Sequence, residues 1–360
     1  MPSARQAVVL LAALVAGCGT AIPGSPVAAP RLPVTSTSQT VTVVTSPPPS
    51  SSVAPPPVAK FGNPAGTAAV PAEAAAEDTS KPTRVVGTGT PASCTSQAVV
   101  DAVAAGGVVT FDCGPRPHTI PLAATAKVRT RTVLDGGGRI TLSGQGKRRV
   151  LDQGGPRLVV QNITLADGDS TGDKADGGGG GAIIVRRGQL KVVNSRFTGN
   201  TCDADGPDLG GAAIRVAPAA DDGPVFVTGS TFEGGVCSNG GALSSIGASW
   251  VVLNSLMRNN KAVGRGANPA RGGTPGGGSG GAIYNDGNRF TLRLAGTLVE
   301  DNQANEGGGA VFFVSNDRSG SMSVEGSTLR RNPSLGFETV KGIFYLGTGE
   351  KPKITASTVQ

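Results

Sequence analysis

Short apolar runs rich in valine, isoleucine and leucine recur along this 360-residue chain, separated by glycine and asparagine. Each run has two to five apolar or alternating residues, a length and pattern typical of β-strands rather than helices. Residues 180–200, 240–260 and 280–302 each begin with Gly-Gly-Ala and close on asparagine. The pattern predicts short strands joined at corners by residues that tolerate positive φ.

The same unit recurs about seven times along the chain. In each copy a serine or threonine precedes an apolar residue, which is Leu165, Phe197, Phe232, Met257, Val299, Leu329 or Val359. The separations between copies vary from 25 to 42 residues because insertions fall between the asparagine and the next Gly-Gly pair. Repeats of this length without helices predict a solenoid whose parallel strands stack at about 4.8 Å.

Stacking places equivalent residues of successive repeats above one another. The asparagine that closes the unit would then form a ladder at one corner, with its amide satisfying backbone groups of the turn. The predicted ladder consists of Asn200, Asn260, Asn302 and Asn332.

Four cysteines besides Cys18 make an even number, which favours two disulfides in an exported chain. Four cysteines allow three pairings. Cys202 and Cys237 occupy equivalent positions in neighbouring repeats, so their Cα atoms are expected about 5 Å apart. A bond between Cys94 and Cys113 would close a predicted helix onto the strand that follows it.

Two groups of motifs in this sequence resemble motifs of known protein families. Gly280-Gly281-Ala282-Ile283, with the later apolar-x-x-Asn, resembles the repeats of right-handed parallel β-helix proteins, including chlamydial polymorphic outer-membrane proteins. Residues 94–114 and 132–142 are similar to the start of many bacterial proteins with the pectin-lyase-like fold.

The resemblance covers residues 86–360. It implies an all-β, right-handed parallel β-helix solenoid of about seven or more coils, with a helix from about Ser96 capping its N-terminal end. That fold carries lyases, hydrolases, adhesins and non-catalytic proteins, so the resemblance implies no single activity. Lyases of that fold use calcium ligands and a basic residue, and its hydrolases use a cluster of aspartates. Neither set of residues can be matched residue by residue to a motif of this sequence.

The N-terminus predicts export and a membrane anchor. Residues 1–17 have one arginine and an apolar run too short to span a bilayer, as in a signal peptide. Val15-Ala16-Gly17-Cys18 resembles the bacterial lipobox, in which Cys18 is lipidated; an ordinary secretory signal is the alternative. Residues 18–85, rich in proline, serine and threonine, predict a disordered tether. Residues 86–360 would then form the β-helix domain.

Composition narrows the class of partner. With 56 glycines, 4% aromatic and 16% charged residues, the chain is not an ordinary helical protein, and its glycines lack the period of collagen. The net charge of +7 is scattered rather than clustered. This argues against nucleic acid and favours an extracellular polysaccharide or a surface protein as partner.

One acidic segment suggests a metal site. Acids at positions one, three and seven with a glycine at position six are similar to a calcium loop, although no glutamate closes it and no helix flanks it. The candidate ligands are Asp167, Asp169, Asp173 and Asp176. The alternative is a solvated acidic loop, so no cofactor is assigned with certainty and Ca²⁺ is the one candidate. A second acidic turn with Asp203, Asp205 and Asp208 would lie at the same corner.

Three insertions, at 168–179, 201–209 and 261–279, leave from one corner and predict a binding face. Arg265 and Arg271 in the longest insertion are candidate binding residues, with glycine-rich filler as the alternative. The strand-borne acids Asp152 and Asp286 are four repeats apart, about 19 Å at the strand spacing, too far for one catalytic pair.

These observations favour an exported, lipid-anchored protein of the bacterial cell surface that binds extracellular polysaccharide or a surface partner without catalysis, as an adhesin does. The alternative is a polysaccharide lyase or glycoside hydrolase acting on an acidic glycan. Whether the protein is an enzyme stays open, with no catalytic residue assigned.

Overall fold

A computed structural model describes residues 60–217, 223–266 and 274–360. The chain is mostly β, and its strands pair in parallel in three sheets. Apart from three short 3-10 helices, Ala72–Ala74, Pro91–Ser93 and Ala175–Gly177, the described residues contain one helix, α1 (Ser96–Ala105). This architecture is compatible with a parallel β-helix.

The strands follow one another along the chain as β1 (Arg84–Val86), β2 (Gly107–Phe111), β3 (His118–Pro121), β4 (Ala126–Val128), β5 (Thr132–Ser143), β6 (Leu151–Gln153), β7 (Arg157–Ala166), β8 (Ile183–Val185), β9 (Gln189–Val193), β10 (Arg196–Thr198), β11 (Ile214–Val216), β12 (Val225–Thr228), β13 (Thr231–Glu233), β14 (Val236–Cys237), β15 (Leu243–Ile246), β16 (Trp250–Leu253), β17 (Leu256–Arg258), β18 (Lys261–Ala262), β19 (Ile283–Gly287), β20 (Thr291–Ala295), β21 (Leu298–Glu300), β22 (Gln303–Ala304), β23 (Val311–Ser315), β24 (Ser321–Glu325), β25 (Thr328–Arg330), β26 (Ile343–Leu346), β27 (Lys353–Thr355) and β28 (Thr358–Val359).

Each repeat contributes to more than one sheet. Sheet B runs β4, β6, β8, β11, β15, β19, β23 and β26 in chain order, and sheet C contains β14, β18 and β22. All other strands belong to sheet A, which bends between the two strands that most repeats supply. Residues with positive φ make this bend, among them Asn194, Gly229 and Asn254. Asparagine and glycine are the residues that tolerate this conformation best.

The strand register confirms the predicted repeat. Phe197 pairs with Leu165 on one side and Phe232 on the other, and the same column continues through Met257 and Val299. These five side chains are at most 1% exposed, and the rings of Phe197 and Phe232 stack at 4.7 Å. The apolar residue of each repeat therefore forms a continuous column through the core.

Two ladders of polar side chains join the repeats. Asn260 and Asn302 donate from both backbone and side chain to the Oδ1 of the next asparagine in the series, over 2.8–3.1 Å. The second ladder, which the sequence analysis did not predict, consists of hydroxyl residues. The backbone amide of each residue donates to the side-chain hydroxyl of the equivalent residue in the next repeat. The series is Ser195, Ser230, Ser255, Thr297, Ser327 and Ser357. This explains the serine or threonine of the sequence unit.

Helix α1 begins where the Thr95 side chain accepts a hydrogen bond from the Ala98 amide, and it ends at Gly106, whose φ is 71°. Its buried residues Val99 and Val103 belong to the main core. No helix among the described residues is long and apolar enough to span a bilayer.

The two cysteine pairs lie at bonding distance in the expected combinations. Cys94 and Cys113 have Cα atoms 5.7 Å apart, and Cys202 and Cys237 have theirs 4.9 Å apart. The second value agrees with the spacing of neighbouring repeats. Cys18, the predicted signal peptide and residues 18–59 of the predicted tether lie outside the described residues.

Residues 60–83, here called the strap, differ from the prediction of a disordered tether reaching residue 85. They contain no strand, yet they lie across the outer face of sheet A and hydrogen-bond to side chains of several repeats. Ala74 is fully buried against Phe226, Leu253 and Ala295. Alanine- and proline-rich composition indicated disorder, but polar side chains of the sheet satisfy the backbone of the strap.

Candidate functional site

The outward-facing side chains of sheet B change character along the sheet. In register, the row on the outer side of the sheet reads Lys127, Asp152, Ile184, Arg215, Ser244, Tyr284, Phe312 and Phe344, and its members from Ile184 to Phe312 are buried. Its first end is charged and its last end is aromatic. Side chains one position away, such as Ile183 and Ile214, face the core. The outer face of sheet B therefore forms a surface with two chemically distinct ends.

Two carboxylates line one cavity of about 370 Å³ on this face. Asp286 belongs to β19, whereas Asp208 comes from the insertion at 201–209. The Tyr284 hydroxyl lies 3.3 Å from Asp286 Oδ2 and 3.5 Å from the Pro207 carbonyl oxygen, so it links the strand to the insertion. The same cavity is lined by Phe312 and Phe344.

Burial changes the acid–base properties of this cavity. It raises the pKa of the Asp286 carboxyl, and the nearby charge of Asp208 raises it further, although the Gly287 amide and Asn316 side chain oppose the shift. Burial and both carboxylates also raise the pKa of the Tyr284 hydroxyl well above its ordinary value. A carboxyl group with a raised pKa beside a second carboxylate is the combination used for proton transfer.

Arg215 supplies the positive charge beneath the acidic insertion. Its side chain is 1% exposed, and Nη1 donates to Ser244 Oγ over 2.6 Å. Burial lowers the pKa of Arg215, while Tyr284, Asp208 and Asp286 oppose that shift. Among the described residues, Nε has no hydrogen-bond partner. Arg215 therefore places a buried positive charge close to the acidic cavity.

Aromatic rings form the last end of the surface. Phe312 stacks on Tyr284 at 5.0 Å and on Phe344 at 5.2 Å between ring centroids, and Phe337 meets Phe344 edge-on. Phe337 and Phe344 are partly exposed. Stacked rings with open edges and faces offer a platform on which the apolar face of a sugar ring can lie.

Basic residues line a cavity of about 310 Å³ at the first end of the surface. Lys127, Arg129 and Arg187 line it with the ion pair of Arg186 and Asp152, whose Nε and Oδ1 are 3.0 Å apart. This end of the surface is therefore suited to an anionic group.

The three insertions converge as predicted. Lys174 and Gly177 of the first, residues 205–209 of the second and Pro275 of the third line one cavity of about 430 Å³. The Cys202–Cys237 pair connects the second insertion to β14. The two acidic turns also meet, because the Gly172 amide donates to Asp203 Oδ2.

The candidate calcium ligands do not converge on one point. Asp169 Oδ1 accepts hydrogen bonds from Thr171 and Thr201, and Asp173 Oδ2 lies 2.6 Å from Arg149 Nη1. Burial raises the pKa of Asp173, but the hydrogen bonds from Arg149 and the Ala175 amide, together with the charges of Arg149 and Arg186, outweigh it, and the net pKa is lowered. Asp167 Oδ2 accepts from Ser143 Oγ. No group of three metal-ligating side chains occurs in the described part of the chain, and the side chain of Asp176 lies outside it.

The structure describes one of the two candidate binding arginines, Arg265. Arg265 lines a cavity of about 540 Å³ with Glu306 and Asn305, away from the acidic cavity. Glu306 is 8% exposed, and its Oε1 accepts a hydrogen bond from the Gly266 amide. Arg271 lies outside the described residues.

The sequence analysis did not predict the acidic pair, because it considered a second carboxylate only on strands. Asp208 lines the same cavity as Asp286 from an insertion. The signal available was the Asp203, Asp205 and Asp208 turn beside Cys202. None of the family models, curated proteins and solved structures compared with this chain is significantly similar to it.

Proposed function

We propose that this chain is an exported, lipid-anchored protein of the cell envelope that binds an extracellular polysaccharide along the outer face of sheet B. The observation that carries the proposal is the order of features along the eight stacked strands of that face. A basic cavity comes first, the cavity lined by the three insertions follows, and an acidic cavity and the aromatic platform come last. Eight strands at about 4.8 Å span roughly 34 Å, a length suited to an extended oligomer rather than a small molecule.

The lipid anchor is part of the same proposal, supported by Val15-Ala16-Gly17-Cys18. We also infer a right-handed, pectin-lyase-like β-helix of about seven or more coils with α1 as its N-terminal cap. The Gly-Gly-Ala repeats support the first part, and the packing of Val99 and Val103 into the main core supports the second.

The test is retention of the full chain in gels that contain one polymer each: pectic, alginate, hyaluronan-like or neutral glucan. Retention by at least one polymer is expected. Phe344→Ala should weaken it several-fold, and Lys127→Ala should weaken it mainly at low salt, because exposed charges are screened as salt rises. Ile354→Ala, an exposed apolar residue of sheet A, is the matched control. Absence of retention, or equal effects of Phe344→Ala and Ile354→Ala, would reject the proposal.

A second candidate function, hydrolysis or lyase cleavage of an acidic glycan, is favoured by one observation: Asp208 and Asp286 share a cavity, and the pKa of Asp286 is raised. In that case Asp286 would act as general acid and Asp208 as its partner carboxylate. The polymer panel should then show chain shortening that falls at higher pH. Asp286→Asn should abolish shortening while retention persists. If none of the polymers is shortened, cleavage is rejected and polymer binding remains as the proposed function.

A further inference from the structure

The strap is recognised through its main chain, as a bound peptide would be. The carboxamide of Asn254 accepts from the Ala68 amide and donates to the Ala68 carbonyl, both over 2.8 Å. Gln161 makes the same pair of bonds with Glu77, over 2.9 and 3.0 Å. Main-chain recognition of this kind depends little on the sequence of the bound segment.

One residue of the strap adds charge complementarity. Glu77 Oε1 lies 2.7 Å from Lys191 Nζ and 2.6 Å from Arg157 Nη2. Lys191 is 3% exposed and belongs to β9, so the outer face of sheet A holds a buried cation that needs an acidic partner. Glu77 meets that need in this structure.

The strap joins the body through a short, exposed connection. Residues 80–82 are exposed, and strand pairing begins only at Arg84. Thr83 is fixed by hydrogen bonds with Val108. Residues 60–79 can therefore leave sheet A without breaking any strand pairing, by rotation about residues 80–82.

We propose that the outer face of sheet A is a peptide-binding surface that can also accept residues 60–79 of a second copy of this chain, in exchange for its own. The incoming segment has the same main chain and the same glutamate, so every contact of the monomer is remade between copies. Exchange of an identical element creates no new interface, and its extent is set by concentration and by strain in the connection.

The experiment uses two full-length, differently tagged chains, each with Cys18→Ser so that position 18 contributes no thiol. One carries Ala68→Cys and the other Ala295→Cys, two positions that line one cavity between strap and sheet. A short bismaleimide then links the two differently tagged chains, through the two introduced cysteines, only where the strap of one chain lies on sheet A of the other. A single chain with both substitutions calibrates the full linking yield, and Ala68→Cys mixed with Lys127→Cys measures random collision.

Exchange predicts a two-tag product well above the collision control, rising with protein concentration. It should rise further after a brief incubation at acid pH, which protonates Glu77 and releases the strap. A quantitative link within the double variant, together with a two-tag yield no higher than the collision control at every concentration, would overturn the proposal.

Discussion

Asn302 shows how one side chain joins three repeats. Its Oδ1 accepts hydrogen bonds from the backbone and side chain of Asn260, and its Nδ2 donates to the Met257 carbonyl and to Asn332. The residue is fully buried. Because no water reaches this corner, each partner would lose its hydrogen bond outright if the carboxamide were removed.

We therefore expect Asn302→Ala to lower the free energy of unfolding by about 2–4 kcal/mol, since several buried polar groups would be left unpaired. Urea unfolding followed by circular dichroism measures this. Asn288→Ala, at an exposed position, should change stability by less than about 0.5 kcal/mol. Similar losses in both variants would contradict the ladder as a source of stability.

Glu77 makes attachment of the strap pH-dependent. The hydrogen bond from Lys191 is the main cause that holds the pKa of Glu77 below its ordinary value. A carboxylate with a lowered pKa in the folded state stabilises that state above its ordinary pKa, and the stabilisation is lost as the pH falls through the lowered value. The strap should therefore loosen below about pH 4.

Hydrogen exchange of the Ala68 and Glu77 amides between pH 6 and pH 3, corrected for intrinsic rates, measures the loosening. Glu77→Gln should reduce protection at pH 6 and remove most of the pH dependence. Glu73→Gln, an exposed position of the same strap, is the control and should behave as the unmodified chain. Equal protection at pH 3 and pH 6 in the unmodified chain would refute the role of Glu77.

At the scale of elements, periodicity separates what the sequence predicts from what it does not. The ladder of Asn260, Asn302 and Asn332 and the phase of Cys202 with Cys237 followed from spacing, because stacked repeats convert equal phase into contact, whereas Asn200 bonds to Gly168 and Leu165 and not to Asn260. The strap has no period, and its Asn63 side chain donates to a carbonyl 233 residues away. Asp208 lies in an insertion held by the Cys202–Cys237 pair, and the spacing of the repeats does not encode the path of that insertion.

The Cys202–Cys237 pair should matter for the candidate site as well as for stability. Replacing both with serine should cost about 3–4 kcal/mol by the loop-entropy relation for a 35-residue separation. It should also weaken polymer retention, because the insertion that carries Asp208 loses its attachment to β14. Cys94→Ser with Cys113→Ser is the matched control: it should cost about 3 kcal/mol and leave retention unchanged. Equal loss of retention would contradict a local role.

At the scale of the whole molecule, the strap connects repeats that do not touch one another. In a solenoid each repeat contacts only its neighbours, so stability is a sum of local terms and unfolding can proceed in parts. The strap contacts Asp135 at one end of its course and Gly296 at the other. We therefore expect the strap to couple distant repeats in a single unfolding event.

Deletion of residues 60–79 should therefore broaden urea unfolding and separate the transitions seen by tryptophan fluorescence, from Trp250, and by circular dichroism. Non-coincident transitions of two probes are the usual sign that two-state behaviour is lost. Deletion of twenty residues between 20 and 39 should leave one coincident transition. Coincident transitions in both deletions would show that neighbour contacts alone supply the cooperativity.

The path of the strap also determines which contacts a force applied to the chain at its N-terminal side would reach first. Phe61 hydrogen-bonds to Asn194, and Gly62 to Thr231, so the first described residues are held against repeats in the middle of sheet A. A pull on the chain at residue 60 would therefore act first on the hydrogen bonds of Phe61 and Gly62, before it reaches the strand pairing that begins at Arg84.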